Sequence, residues 1–214
     1  MRRTEELIRQ LAMDVKPVRS HAIGWRIAVG ILGGGAISLL LLIAVFGIRP
    51  DLHEALRDFS FWVRSLYTVS LGIGAMFVTA SLARPDNVRA HWLWLLVVPV
   101  LLLTGIGIGE MANVPLSNWQ SLWLGRSWKV CPWRILMLSA PIFAGMLWAF
   151  RRFAPTRLPL AGAAAGLTAG AWSATLYGLY CQEESAIFVL TWFTLGMLLA
   201  ALLGAFLGRR LLRW

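Results

Sequence analysis

The chain has 214 residues, of which 58% are apolar and only 14% charged, with 12 Trp, 20 Gly, 9 Pro and a formal net charge of +10. A water-soluble domain carries about 25% charged residues, so a soluble single-core protein is excluded, and so is intrinsic disorder. The balance is that of a polytopic membrane protein, in which interfacial Trp and helix-tolerated Gly are common.

In chain order, residues 1–26 read as a cytoplasmic tail. The spacing predicts a short amphipathic helix over Thr4–Val15, with Leu7, Ile8, Leu11, Ala12 and Val15 on one face. Thr4 is placed to cap it, Glu5 and Glu6 lie in the first turn where the helix dipole favours them, and Pro17 stops it. A helix this short is marginal alone in water. It needs a surface, and two remain open: the lipid interface, or a partner's groove.

Six apolar runs then follow, each near the roughly 20 residues that a bilayer core requires. They are Ile27–Ile48, Phe61–Leu82, Trp92–Gly109, Trp133–Phe150, Leu158–Tyr180 and Ser185–Leu207. Arg64 and Arg134 lie inside them, near an end, where a long side chain can snorkel to the headgroups. The first run is too long for a signal peptide and no small-residue cleavage site follows it. The expected fold is therefore all-α: a membrane domain of six transmembrane helices over 27–207, followed by a basic tail, 208–214.

The longest outer connection, near 110–132, holds Trp119, Trp123 and Trp128 just ahead of Trp133, an aromatic belt with a short surface helix. Gly162, Gly166 and Gly170 recur four apart in the fifth run, and Gly105/Gly109 and Gly204/Gly208 repeat the spacing. Such ladders let helix backbones approach closely, within one bundle or, as the alternative, in a homodimer. With the N-terminus inside, 14 of the 20 Lys and Arg fall on inner segments and 6 on outer ones, whereas acids divide four and six. The positive-inside rule then puts both termini in the cytoplasm, as expected for a multi-pass protein of a bacterial inner membrane.

The two cysteines are the sharpest chemical feature. They match no zinc-finger spacing and are too few for a disulfide scaffold. Cys131 is at the outer mouth of the fourth run and Cys181 at the outer end of the fifth, so an antiparallel pair of helices places both at similar depth on the outer face. Three readings stay open: a structural disulfide, two unrelated buried thiols, or a switch that is oxidised or captures a soft metal ion. Glu183 and Glu184 are placed to lend carboxylate ligands. No enzyme signature is present: His21, His53 and His91 are scattered, no metalloprotease, nucleophile-elbow or phosphate-loop motif occurs, and Gly105–Gly109 follows no strand. The expectation is a non-enzyme without a resident cofactor, with Cys131 and Cys181 available for transient soft-metal binding. Basic residues are dispersed over four inner segments, which gives no direct nucleic-acid site.

Several segments together resemble the NrsF family of membrane-bound anti-sigma factors, the negative regulators of sigma F. They are Arg3-Thr4-Glu5-Glu6-Leu7-Ile8 with Leu11-Ala12 and Val15–Arg19, then Gly47-Ile48-Arg49-Pro50-Asp51-Leu52, Cys131-Pro132, Cys181-x-Glu183 and the closing Gly204–Trp214. The resemblance implies six spans, a cytoplasmic face that sequesters a sigma factor of the extracytoplasmic-function class, and release under an external metal or oxidant stress. It implies that Cys131 and Cys181 are the sensing thiols, and it makes Glu5, Leu7, Ile8 and Leu11 the expected sigma-factor contact. The zinc-binding HxxxCxxC domain of other anti-sigma factors is absent from the sequence, so inhibition would use the tail and inner loops. The competing readings are a small metal or solute permease and a structural subunit of a larger membrane complex. The membrane interior lacks mid-depth Asp, Glu, His and Lys, which speaks against ion-coupled transport.

Overall fold

The computed structural model describes residues 5–6, 22–82, 94–151 and 157–211, and among these the regular structure is helical, without strands. The long helices are α1 (Ala22–Val45), α3 (Phe59–Leu82), α4 (Trp94–Ala112), α6 (Cys131–Phe150), α7 (Leu158–Tyr177) and α8 (Ala186–Leu211). Two short ones, α2 (Leu52–Ala55) and α5 (Trp119–Leu124), lie in the connections at the end of the bundle that holds both cysteines. Of the tail helix expected over Thr4–Val15, only Glu5 and Glu6 fall within the described residues, where they are helical and exposed.

Five helices are long and apolar enough to cross a membrane: Gly24–Val45 of α1, then α3, α4, α6 and α8. The fifth expected run forms α7, which has the length but is built largely of Ala, Gly, Ser and Thr. Its position explains the composition. It packs on α3, α6 and α8, and most of its residues, from Ala161 to Tyr177, are buried. A helix enclosed by other helices needs close backbone approach more than it needs a lipid-soluble surface.

The ladders set that approach. A Cβ on Gly162 would fall on the Gly204 carbonyl oxygen, one on Gly166 on that of Ala200, and one on Gly204 on that of Gly162. A second crossing brings α1 onto α6, where a Cβ on Gly30 would lie 2.6 Å from the Gly145 carbonyl oxygen. Beside it Ser38 donates to the Gly34 and Leu138 carbonyls at 2.9 and 2.7 Å. Gly105 and Gly109 behave differently: a Cβ added at either would meet nothing within 4 Å. They lie on α4, a peripheral helix with only Leu103 and Gly107 buried, so this pair does not serve packing inside the bundle.

Two boundary shifts matter for the site. Helix α6 starts at Cys131 rather than at Trp133, because Pro132 occupies the first turn, where a missing N–H is not needed. Cys131 is thereby the first residue of a helix and not part of a loop. Helix α7 stops at Tyr177, three residues before the end of its apolar run, and Leu179 and Tyr180 close tight turns onto the Leu176 and Tyr177 carbonyls. Helix α8 contains a π-helical stretch, Val189–Phe193, a deformation often found at functional sites. Phe188 and Phe193 are buried there, and Phe193 packs on Tyr177 with ring centroids 5.7 Å apart. Just beyond, the Tyr67 and Thr194 hydroxyls share a hydrogen bond of 2.6 Å that pins α3 to α8.

Candidate functional site: a thiol pair under two arginines

Cys131 and Cys181 are both buried free thiols in one apolar cluster with Tyr67, Ile135, Tyr177, Phe188 and Phe193. The expected juxtaposition of the two cysteine-bearing segments is therefore present, and Glu183 makes it. Its carboxylate Oε1 accepts hydrogen bonds from the backbone N–H groups of Arg126 (2.7 Å) and Ser127 (3.2 Å) and from the Ser127 hydroxyl (3.2 Å). Ser127 in turn accepts the Cys131 N–H at 2.9 Å, at the turn that opens α6. One carboxylate thus ties the segment of Cys181 to the turn that sets Cys131. Gly125, at φ 54° and ψ −162°, permits this approach, because a Cβ there would lie 2.6 Å from Glu183 Oε2 and this backbone region belongs almost solely to glycine.

Glu183 therefore serves as a structural anchor, and Glu184 is exposed to solvent. Among the described residues no group of three or more His, Cys, Asp or Glu side chains gathers to hold a metal ion. Burial pushes the Cys181 thiol up from its ordinary pKa, while the Glu183 N–H, the Arg64 charge and the Ser127 hydroxyl act in the opposite direction. Of the expected partner contacts, Glu5 is exposed, and Leu7, Ile8 and Leu11 lie outside the described residues.

The strongest polar feature of the site is one that hydropathy misreads. Arg64 does not snorkel outward: it is 4% exposed and turns into the bundle onto the connection between α7 and α8. Its Nη1 donates to the carbonyls of Cys181 (3.1 Å) and Glu183 (2.6 Å), and its Nη2 to that of Gly178 (3.0 Å). The physical reason is the irregular connection that follows α7: the carbonyls of Gly178, Cys181 and Glu183 have no helical donor, and Gly178, at the helix C-cap, sits at the negative end of the α7 dipole. A cation from a neighbouring helix satisfies them. Arg134, the other arginine inside a run, lies over the rings of Phe46 and Tyr180 at 4.8 and 5.2 Å.

Arg49 reinforces the clamp from the α1–α2 turn. Its Nη1 reaches the Cys181 carbonyl at 3.5 Å, and its Nε and Nη2 hold Asp51 by a two-pronged pair at 2.9 and 2.6 Å. That hydrogen-bonded pair holds the Asp51 carboxyl down to about 2 and raises the Arg49 pKa. Asp51 also takes a 3.4 Å hydrogen bond from Gln182. On the far side, Glu110 at the end of α4 accepts from the Ser185 hydroxyl (3.1 Å) and the Ala186 N–H (2.8 Å), capping α8. Arg49, Arg64, Glu110 and Ser127 escaped the sequence reading as site residues. Arg64 carried a signal, as a charge within an apolar run, and Arg49 stood in the Gly47–Leu52 segment of the family resemblance, but neither pointed to the Cys181 connection.

The Asp51 shift has a consequence for pH. The folded chain favours the carboxylate, so its pair with Arg49 contributes fully above the ordinary carboxylate pKa of about 4. That contribution is lost as pH falls toward about 2. Asp51→Asn is expected to remove this component. Thermal melts of the purified chain in detergent should show a wild-type to D51N difference that is constant at neutral pH and shrinks between about pH 4 and 2.

Fold and site together define a helical protein of membrane character that gathers two thiols, two arginines and three carboxylates at one end of its bundle. Residues 11–214 match the family model described as negative regulator of sigma F, NrsF. The chain is 38% identical over 213 residues to the "Probable anti-sigma-F factor NrsF" of Azospira oryzae, covering 99% of this chain and 100% of that one. It is 38% identical over 214 residues to the "Anti-sigma-F factor NrsF" of Caulobacter vibrioides, with the same coverage. The chain belongs to the NrsF family of anti-sigma factors. No solved structure matches it.

Proposed function

We propose that this chain is a membrane-embedded anti-sigma factor. It holds an extracytoplasmic-function sigma factor at the cytoplasmic face of a bacterial inner membrane and releases it when Cys131 and Cys181 react on the outer side. The topology behind this reading is six spans with both termini in the cytoplasm. It counts α7 as a span because 20 helical residues at 1.5 Å each reach about 30 Å. It takes its orientation from the 14 to 6 division of Lys and Arg.

The observation that carries the proposal is that both thiols are free, buried in one cluster, and carried on segments tied by Glu183. Two chemistries suit such a pair. In oxidation, the sulfurs join as two protons leave and two electrons pass to the oxidant. In metal capture, each thiol gives up its proton and a soft cation binds both sulfurs. With Glu183 engaged, a two-coordinate ion held by the sulfurs alone fits better than a four-coordinate one. Either product changes the spacing of α6 from the connection to α8, and a ligand or bond that prefers one of two arrangements shifts their balance.

The test is co-purification. The full chain, extracted in detergent from unstressed cells, is expected to elute with its sigma factor and to lose it after treatment with diamide or mercury(II). Elution without a sigma factor under both conditions would sink the proposal.

A further inference from the structure

Arg64 is a buried cation without an acid. Among the described residues no carboxylate lies within salt-bridge distance of it, and its Nε finds no acceptor. A charge removed from water is tolerated only if hydrogen bonds replace its hydration. Here the replacement is three backbone carbonyls, all in the eight-residue connection between α7 and α8. The central one belongs to Cys181, so α3 grips the backbone of the thiol residue itself.

The grip also has room to move. A cavity of about 160 Å³ lies beside Arg64 between α3, α4 and α8, with Phe59, Ser60, Glu110 and Glu184 in its walls. Glu110, in that wall, caps the start of α8, the helix that pairs with α3 through Tyr67 and Thr194. A buried guanidinium cannot give up its carbonyls without cost, and free volume beside it leaves space for the held segment and Arg64 to shift together.

We propose that Arg64 is the positioning residue that couples the Cys181 segment to α3, so that a displacement of Cys181 on thiol modification becomes a displacement of α3 toward the cytoplasmic face. The coupling rests on the thiol reading proposed above. Arg49 supports the same carbonyl from the α1–α2 turn, but at 3.5 Å and with its other nitrogens committed to Asp51. It steadies the segment and does not drive α3.

The experiment compares Arg64→Gln and Arg64→Lys with the unaltered chain in cells treated with graded diamide, which takes up the two electrons and two protons. Cys131–Cys181 disulfide is quantified by mass spectrometry, and transcription from the sigma factor's promoter is read in the same cells. At matched disulfide content, R64Q is expected to repress normally in unstressed cells but to induce at least about fivefold less, with R64K between the two. A residue that merely supports the fold would lower protein level or repression in both variants and leave induction per disulfide unchanged. Wild-type induction per disulfide in R64Q overturns the proposal, and so does constitutive release at normal protein level. If R64Q does not accumulate, R64K carries the same comparison, and wild-type induction in it overturns the coupling. A parallel arm with both cysteines replaced by alanine separates the two readings. Induction that survives there overturns thiol sensing and the coupling together, whereas thiol-dependent induction with an indifferent Arg64 overturns the coupling alone.

Discussion

Cells carrying Cys131→Ala and Cys181→Ala, singly or together, are expected to keep the sigma factor repressed and to lose its induction by diamide or mercury(II). Both side chains sit in an apolar cluster, with Cys131 at 0% and Cys181 at 3% exposure, so alanine keeps the environment apolar at the loss of the sulfur atom alone. Serine is the poorer replacement, since an unpaired buried hydroxyl costs about 1–3 kcal/mol and would mix instability with loss of sensing. The size of the effect follows from the bond. A disulfide contributes about 2–4 kcal/mol, which shifts a two-state balance by roughly a hundredfold. Removing either sulfur removes all of it, so each single variant should match the double. Transcription from the sigma-dependent promoter in stressed and unstressed cells checks this. A stress response preserved in the double variant would refute the sensing role.

The second large effect is expected at the α7–α8 crossing. Gly162→Leu and Gly204→Leu each place a side chain on the carbonyl oxygen of the facing glycine. The obstruction is backbone, which cannot rotate aside as a side chain can. Overpacking a core costs about 1–3 kcal/mol where side chains can adjust, and a backbone clash should exceed that. The helices must separate over the whole ladder, which also carries Gly166 against Ala200. Both variants should lose the cooperative melt of the purified chain and derepress the sigma factor without stress. Gly105→Leu, on the open face of α4, is the control and should melt like the parent. If the ladder variants melt at the parent's temperature, the crossing is not what holds the bundle.

Both predictions draw on features that differ in how legible they were. The glycine ladders of α7 and α8 stand in the sequence at four-residue spacing, but spacing does not say which ladder faces which. Gly105 and Gly109 carry the same signature and pack on nothing among the described residues. The cysteines were readable as a pair because two helix ends in antiparallel order bring them to one end of the bundle. Glu183 was readable as a polar neighbour of Cys181, but not as the anchor of residues 126–127, a contact across more than fifty residues.

From the sequence alone came the helical class, the approximate bounds of the long helices, the charge asymmetry and the placement of both thiols at one end. Each of these follows from local averages: apolar run length, the count of cations per segment, and Cys position relative to a helix end. The tertiary structure decided that α7 is the enclosed centre, that Arg64 turns inward, and that the Cys181 connection is gripped by its backbone carbonyls. Hydropathy records what a side chain prefers as solvent and treats an arginine near a helix end as bound for water. The carbonyls of the irregular connection between α7 and α8 offer that arginine a second solvent, and only the packed arrangement brings them within reach.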